Sequence, residues 1–286
     1  MPFKKIVVTG AAGKLGQAAV AELLAHGHNV WGVDRARPES LRCRFLPVDL
    51  TQAAAVYDVL QGADAVIHLA AIPGPLSQPA SVTFSNNVQS TYNVIEAAAV
   101  LGIPRVVSAS SVFALGWTET AEAYWPVTLP VDETHPLTPF EAYGLSKQIG
   151  EDICLAASRR TGISTVSLRF MNIIAPDGYF ALPWPRPTRD KGLRFVMWPY
   201  VDLRDAARAC RLAVEAETKG HEAFYIAARD TRFDAPTLDL LQELAPAKLK
   251  ITGALNENAS VINIEKARVL LGFEPEHHWR MYSPKC

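Results

Sequence analysis

Short apolar runs alternate with longer amphipathic stretches from residue 5 to residue 170 of the chain. Lys5-Ile6-Val7-Val8-Thr9 is β-branched and nearly all apolar, the pattern of a strand buried on both faces. Residues 14–26 follow with apolar positions at helical spacing and stop at Gly27. The alternation continues with strands predicted at 29–34, 44–48, 65–69, 105–109 and 164–170, and helices at 53–60, 86–101 and 141–161. Gly102 and Pro104 end the long helix at 86–101. Strands and helices alternating at this spacing predict βαβ units, and therefore an α/β fold with a doubly wound parallel sheet. No internal repeat is present.

After Asn172 the pattern changes. Residues 178–199 are rich in proline, tryptophan and arginine, including Pro183-Trp184-Pro185-Arg186-Pro187. Proline removes an N–H and fixes φ, so no regular helix forms there. An irregular stretch of this length is either functional or a packed surface excursion. Its aromatics argue for order, and a substrate-covering loop is one reading. Beyond it, 205–216, 236–244 and 265–271 read as helices and 223–228 as a strand.

Composition narrows the classes. With 286 residues, 49% of them hydrophobic, the chain can bury a sizeable core. A net charge of −1 gives no footprint for nucleic acid or an anionic membrane. No apolar run approaches the roughly 20 residues that span a bilayer. The run at 6–8 is too short for a signal-peptide core and leads straight into a glycine turn. Cys43, Cys154, Cys210 and Cys286 are scattered, so neither a metal site nor a disulfide framework is expected, and a cytoplasmic location fits. His277-His278 lacks ligand companions for a metal. Asp132-Glu133 reads as solvated and His68 as structural.

Two motifs carry chemistry. Glycines at 10, 13 and 16 lie between the first strand and the first helix. They permit a tight turn, approach of a pyrophosphate to the backbone, and close helix–strand packing. The helix N-terminus offers its N–H groups to the phosphates. Asp34, at the end of the second strand, suits the ribose hydroxyls of an adenosine and repels a 2′-phosphate, favouring NAD. Arg35 and Arg37 keep NADP open, because a guanidinium can hold the extra phosphate. The second motif is Tyr143-Gly-Leu-Ser-Lys147, whose tyrosine and lysine share one helix face. An ammonium beside a phenol favours the phenolate, making the pair a candidate general acid/base.

Further ordered segments carry a family resemblance. Asp49-Leu50, His68-Leu69-Ala70-Ala71 and Asn86-Asn87-Val88 follow the glycine turn. Ser108-Ala109-Ser110-Ser111 with Gly116, Arg169-Phe170-Met171-Asn172, Tyr200-Val201-Asp202 and Lys266-Ala267-Arg268-Val269-Leu270-Leu271-Gly272-Phe273 come after. Together they resemble the extended short-chain dehydrogenase/reductases, the NAD-dependent epimerase/dehydratase group, over nearly the whole chain. The resemblance implies a Rossmann-type domain over 1–172 that includes the catalytic helix. A small substrate lobe, interleaved with that core, would take most of 173–286. It implies a cofactor site of Gly10, Gly13, Lys14, Leu15, Gly16, Asp34, Asp49, Leu50, Leu69, Ala70, Ala71 and Asn86, with Tyr143 and Lys147. It also implies a catalytic Ser111 (Ser110 as runner-up), acting with Tyr143 and Lys147, and a homodimer built from the helices at 86–101 and 141–161.

Departures from the family pattern sharpen the expected substrate. Relatives that eliminate water carry acids after the catalytic serine; Val112 and Phe113 stand here and cannot transfer a proton. No arginine lies immediately before Tyr200 to grip a diphosphate, the nearest being Arg194. The chain is also shorter than typical nucleotide-sugar enzymes. It looks more like the sugar-acid dehydrogenases, with Arg186, Arg189 or Arg194 able to pair with a carboxylate and Asn172 able to line the pocket. The expectation is hydride transfer at a hydroxyl-bearing carbon of a sugar or sugar acid. A nucleotide-sugar epimerase is the alternative, and a non-enzymatic cofactor-binding sensor a further one.

Overall fold

The computed structural model describes residues 5–117, 125–188 and 198–282. Its centre is a seven-stranded, wholly parallel sheet in the order β10-β7-β5-β4-β1-β2-β3. These strands are β1 (Ile6–Thr9), β2 (Val30–Asp34), β3 (Arg44–Pro47), β4 (Ala65–His68), β5 (Arg105–Ser111), β7 (Ser164–Phe170) and β10 (His221–Ile226). Alternate residues feed opposite cores. Val7, Val66 and Val106 face one layer, while Ile6, Val8, Ile67 and Val107 face the other. The unbroken apolar runs in the sequence are the consequence of this two-sided burial.

Helices α2 (Ala53–Leu60), α3 (Ala80–Val100) and α4 (Ala142–Thr161) pack together on one face. On the other face α1 (Lys14–Ala25) lies against α5 (Leu203–Glu215). The strand order reverses between β1 and β4, and ligands of such sheets sit at that crevice, beyond the carboxyl ends of the strands.

After residue 172, α5 packs against the main sheet and β10 forms its edge. Outside that sheet stand two small parallel pairs and two helices. The pairs are β6 (Thr128–Leu129) with β11 (Lys250–Ile251), and β8 (Asn172–Ile174) with β9 (Tyr200–Asp202). The helices are α6 (Thr237–Leu244) and α7 (Glu265–Leu271). Tyr200, fully buried, donates to Asp230 at 2.7 Å and accepts from the Trp279 N–H at 3.0 Å. Asp202 caps α5 through the Arg204 N–H.

Two expectations change. α3 begins at Ala80, not residue 86, so Asn86 sits in its second turn. Glu133 is half-buried and accepts the Tyr225 N–H at 2.9 Å, closing the outer edge of β10. Asp132 beside it folds back on the Thr134 N–H and hydroxyl.

Candidate active site

The glycine turn is as tight as its spacing demands. A Cβ on Gly10, whose φ is +70°, would stand 2.5 Å from the Ala70 nitrogen, and one on Gly16 would stand 2.0 Å from the Gly10 carbonyl oxygen. Gly13 caps α1 without any side-chain bond, leaving the first N–H groups of the helix directed at the turn. Asp34 is aimed there by two backbone donors, Ala12 N at 3.0 Å and Arg35 N at 2.7 Å.

A cleft of about 130 Å³ opens beside this turn, lined by Gly10, Gly13, Asp34, Asp49, Leu50, Leu69, Ala70, Ala71 and Asn86, among others. The Asp49 carboxylate accepts the Thr51 N–H and hydroxyl, which hold it below the usual carboxylate range. Leu50 is buried, and its carbonyl accepts Asn93 Nδ2 at 2.8 Å. Of the expected cofactor residues, Lys14 is exposed and lines neither cavity, while Gly16 lies beneath the turn. Arg37 is engaged by the carbonyls of Leu41 and Cys43. A turn that admits no Cβ at Gly10 or Gly16, an uncapped helix start and a carboxylate held at the turn fit a dinucleotide.

The catalytic candidates converge next door. Leu69 and Ala71 continue from the cleft into a cavity of about 370 Å³, whose walls include Leu15, Ser111, Tyr143, Lys147 and Asn172. β5 delivers Ser111 at its carboxyl end, where the Ser111 hydroxyl accepts the Phe113 N–H and caps a 3₁₀ turn over Val112–Leu115. α4 delivers Tyr143 and Lys147 one turn apart. Glu141 caps that helix, its carboxylate accepting Tyr143 N at 2.6 Å and Gly144 N at 2.9 Å. Ser110 is tied to Glu151 at 2.6 Å, which leaves Ser111 as the serine facing Tyr143.

The electrostatics depart from the simple expectation of a lowered tyrosine pKa. Burial pushes the Tyr143 phenol up to about 12; the Ser111 hydroxyl and the Gly74 N–H pull it down and the Glu141 charge adds to the rise. Burial likewise pushes Lys147 down to about 8. Its ammonium donates to the Ala109 carbonyl at 2.9 Å and lies 5.6 Å from the Tyr143 ring centre. Burial also holds His68 neutral, at about 3, with the Lys147 charge acting in the same direction. It bridges Thr9 and Thr91 as a structural link between β1 and α3.

The remaining wall is mostly apolar: Pro73, Val112, Phe113, Phe170, Met171 and Ile173. Phe113 packs edge-on against Tyr143 at 5.6 Å. Asn87 clamps the loop that carries Pro73 and Gly74, accepting the Ile72 N–H and donating to its carbonyl. The adjoining Asn-Asn pair was the only trace of that clamp in the sequence. Of the arginines expected to meet substrate, Arg186 is ion-paired with Glu243 on the surface and lines neither cavity. Arg189 and Arg194 lie outside the described residues.

Comparison with known proteins agrees with this fold. The family model for the NAD dependent epimerase/dehydratase family matches residues 6–227. An L-arabinose 1-dehydrogenase (NAD(P)(+)) of Haloferax volcanii is 32% identical over 217 residues, covering 74% of this chain and 83% of that protein. A uronate dehydrogenase of Pseudomonas syringae pv. tomato is 28% identical over 227 residues, covering 78% and 74%. A short-chain dehydrogenase/reductase superfamily protein from Agrobacterium tumefaciens, solved with bound NAD, superposes with a TM-score of 0.73 at 25% identity, covering 96% and 94%. With its glycine cradle, its parallel sheet and a family match over most of its length, the chain belongs to the NAD-dependent epimerase/dehydratase family.

Proposed function

We propose that this protein is an NAD-dependent dehydrogenase of a sugar or sugar acid. The observation that carries the reading is the convergence of Ser111, Tyr143 and Lys147 on one wall of a cavity continuous with the dinucleotide cleft. The cofactor supplies hydride acceptance at the carbon being oxidised. Tyr143 takes the proton of the substrate hydroxyl, and Ser111 donates a hydrogen bond to the same oxygen as charge develops there. The Lys147 ammonium stabilises the phenolate and orients the cofactor ribose.

Val112 and Phe113 leave no acid beside Ser111 for eliminating water, which favours oxidation over dehydration. Similarity to an arabinose dehydrogenase and a uronate dehydrogenase supports a free sugar or sugar acid as substrate. Asn172 contributes a polar group to the substrate side, and Arg189 or Arg194 remains the proposed partner of a carboxylate. Asp34, together with the engagement of Arg37 by main-chain carbonyls, favours NAD over NADP. The homodimer and the cytoplasmic location belong to the same proposal, the latter supported by free Cys43, Cys154 and Cys210.

Incubating the protein with NAD and a panel of uronic acids, aldoses and nucleotide sugars tests the reading. NADH should accumulate with a free sugar or sugar acid, and Tyr143→Phe should slow that turnover by about 10²–10⁴-fold. Interconversion of nucleotide sugars without net NADH would establish the epimerase instead, and undiminished turnover in Tyr143→Phe would remove the assigned base.

A further inference from the structure

Tyr143, Lys147 and Glu151 stand four residues apart on α4 and share one face. The first two open on the cavity, whereas Glu151 turns into the sheet. Its Oε1 accepts from the Ser110 hydroxyl at 2.6 Å and from Arg169 Nε at 2.9 Å; its Oε2 accepts from Arg169 Nη2 at 2.8 Å. Arg169 Nη1 donates to the Tyr225 hydroxyl at 3.3 Å, and the guanidinium lies 5.1 Å from that ring's centre. Ser110 and Arg169 are opposite one another in the β5–β7 register. The two charged side chains are only 7% and 8% exposed. The chemistry assigned to Ser111, Tyr143 and Lys147 uses none of these groups.

Burying an ion pair is a poor way to gain stability, since apolar side chains of similar volume often do as well. A forked pair supplies something they do not, namely a fixed distance and rotation between the elements that carry it. Here it joins α4 to β7, and the Ser110 hydroxyl ties the same carboxylate to β5, the strand that ends in Ser111. We propose that the Ser110–Glu151–Arg169 cluster positions the Tyr143–Lys147 face of α4 against Ser111 and cancels its own charge, so that Lys147 experiences neither ion alone.

The surrounding groups agree with that division of labour. On α4 itself Glu141 is committed to the helix cap, and Cys154 is a buried thiol pushed up to about 12 by desolvation. His68 on β4 is held neutral. On β10, burial pushes His221 below its ordinary value, Glu222 pairs with Lys266 of α7, and burial holds the Tyr225 phenol protonated. Burial pushes Glu133 up, and its carboxylate takes the Tyr225 N–H. Glu151, one turn along α4 from Lys147, and its partner Arg169 are therefore the ionised pair on this face of the helix.

The proposal rests on Tyr143 and Lys147 as the acid/base pair, yet its first readout needs no substrate. The Lys147 side-chain resonance, assigned by its loss in Lys147→Met, is titrated by NMR in the resting protein. Glu151→Gln leaves an unpaired guanidinium and should lower the midpoint. Arg169→Met leaves an unpaired carboxylate and should raise it, each by about one unit or more. The double variant Glu151→Gln/Arg169→Met buries no net charge and should return the midpoint to the parental value. Its kcat should nonetheless fall on the order of 10²-fold, because the clamp is gone and the helix is free to shift. Unmoved midpoints in folded single variants would overturn the charge balance. Should the single variants not fold, parental kcat in the double variant would overturn the positioning role. Failure of the dehydrogenase reading alone would leave the titrations shifted.

Discussion

At the scale of single residues, Lys147 sets the most informative energy in the site. Its ordinary pKa of 10.5 falls to about 8 in the folded protein because burial disfavours the ammonium. The folded state thus holds fewer protons than the unfolded state between those values, and stability rises with pH across that window. The cost is fully present below pH 8 and relieved above 10.5. At 1.36 kcal/mol per unit it amounts to about 3 kcal/mol. Lys147→Met removes this dependence. The stability difference between Lys147→Met and the parent, from urea unfolding, should therefore shift by about 3 kcal/mol in the parent's favour between pH 7 and pH 10.5. A difference that stays constant with pH would mean that the lysine is not desolvated. Tyr143, pushed up to about 12, works oppositely, and its penalty starts only above its ordinary value of 10.0. Comparing two proteins that both keep Tyr143 cancels that second contribution.

At the scale of elements, the strand–turn–helix at the start of the chain is the part most tightly specified. Gly16 admits the closest contact, its added Cβ meeting the Gly10 carbonyl at 2.0 Å, while a Cβ on Gly27 at the other end of α1 meets nothing within 4 Å. Gly16→Ala should weaken NAD binding at least about tenfold and cost about 1–3 kcal/mol, since backbone must move to admit it. Gly27→Ala should leave NAD affinity at the parental value, with only left-handed strain to bear. Equal NAD dissociation constants for the two variants, measured by calorimetry, would contradict the close packing assigned to the turn. This turn was legible in sequence because local rules dictate it, and so were the main-sheet strands and the helices of the first 170 residues, though not the short β6. The first turns of α3 were not. Ser81, Thr83, Ser85 and Asn86 give no apolar stripe, and the helix there buries Thr83, Asn87 and Ser90 through tertiary contacts. Non-local bonds were equally hidden. Glu151 reaching Arg169, Glu133 sealing β10 and Glu243 drawing Arg186 away from the cavity depend on which elements become neighbours. The proposed catalytic set could be assembled from sequence because Tyr143 and Lys147 share one helix, and because the family resemblance supplied Ser111.

At the scale of the whole molecule, α4 faces two ways, and its outer face is the surface proposed for assembly. α3 and α4 pack on each other. Their inner faces meet the sheet, and several apolar side chains on the outside are exposed among the described residues. Val82, Tyr92 and Val100 on α3 are exposed, as are Leu145 on α4 and Phe140 just before it, and Ile149 is half-exposed. Leu145, Ile149 and Ala156 recur at helical spacing along α4. A second copy related by a two-fold axis would cover both outer faces with the same two helices, making an isologous contact. Stable interfaces of this kind bury about 1,200–2,000 Å². An interface here would stiffen the helix that carries Tyr143 and Lys147, linking assembly to the geometry of proton transfer. Sedimentation of the parent at micromolar concentration should give a dimer. Leu145→Glu/Tyr92→Glu should shift it to monomer, since a like charge from each copy would be buried at the contact. The separated chains should retain the α/β fold by circular dichroism, because neither side chain enters either core. A parent that sediments as a monomer, or a double variant that remains dimeric, would place the assembly surface elsewhere or remove it.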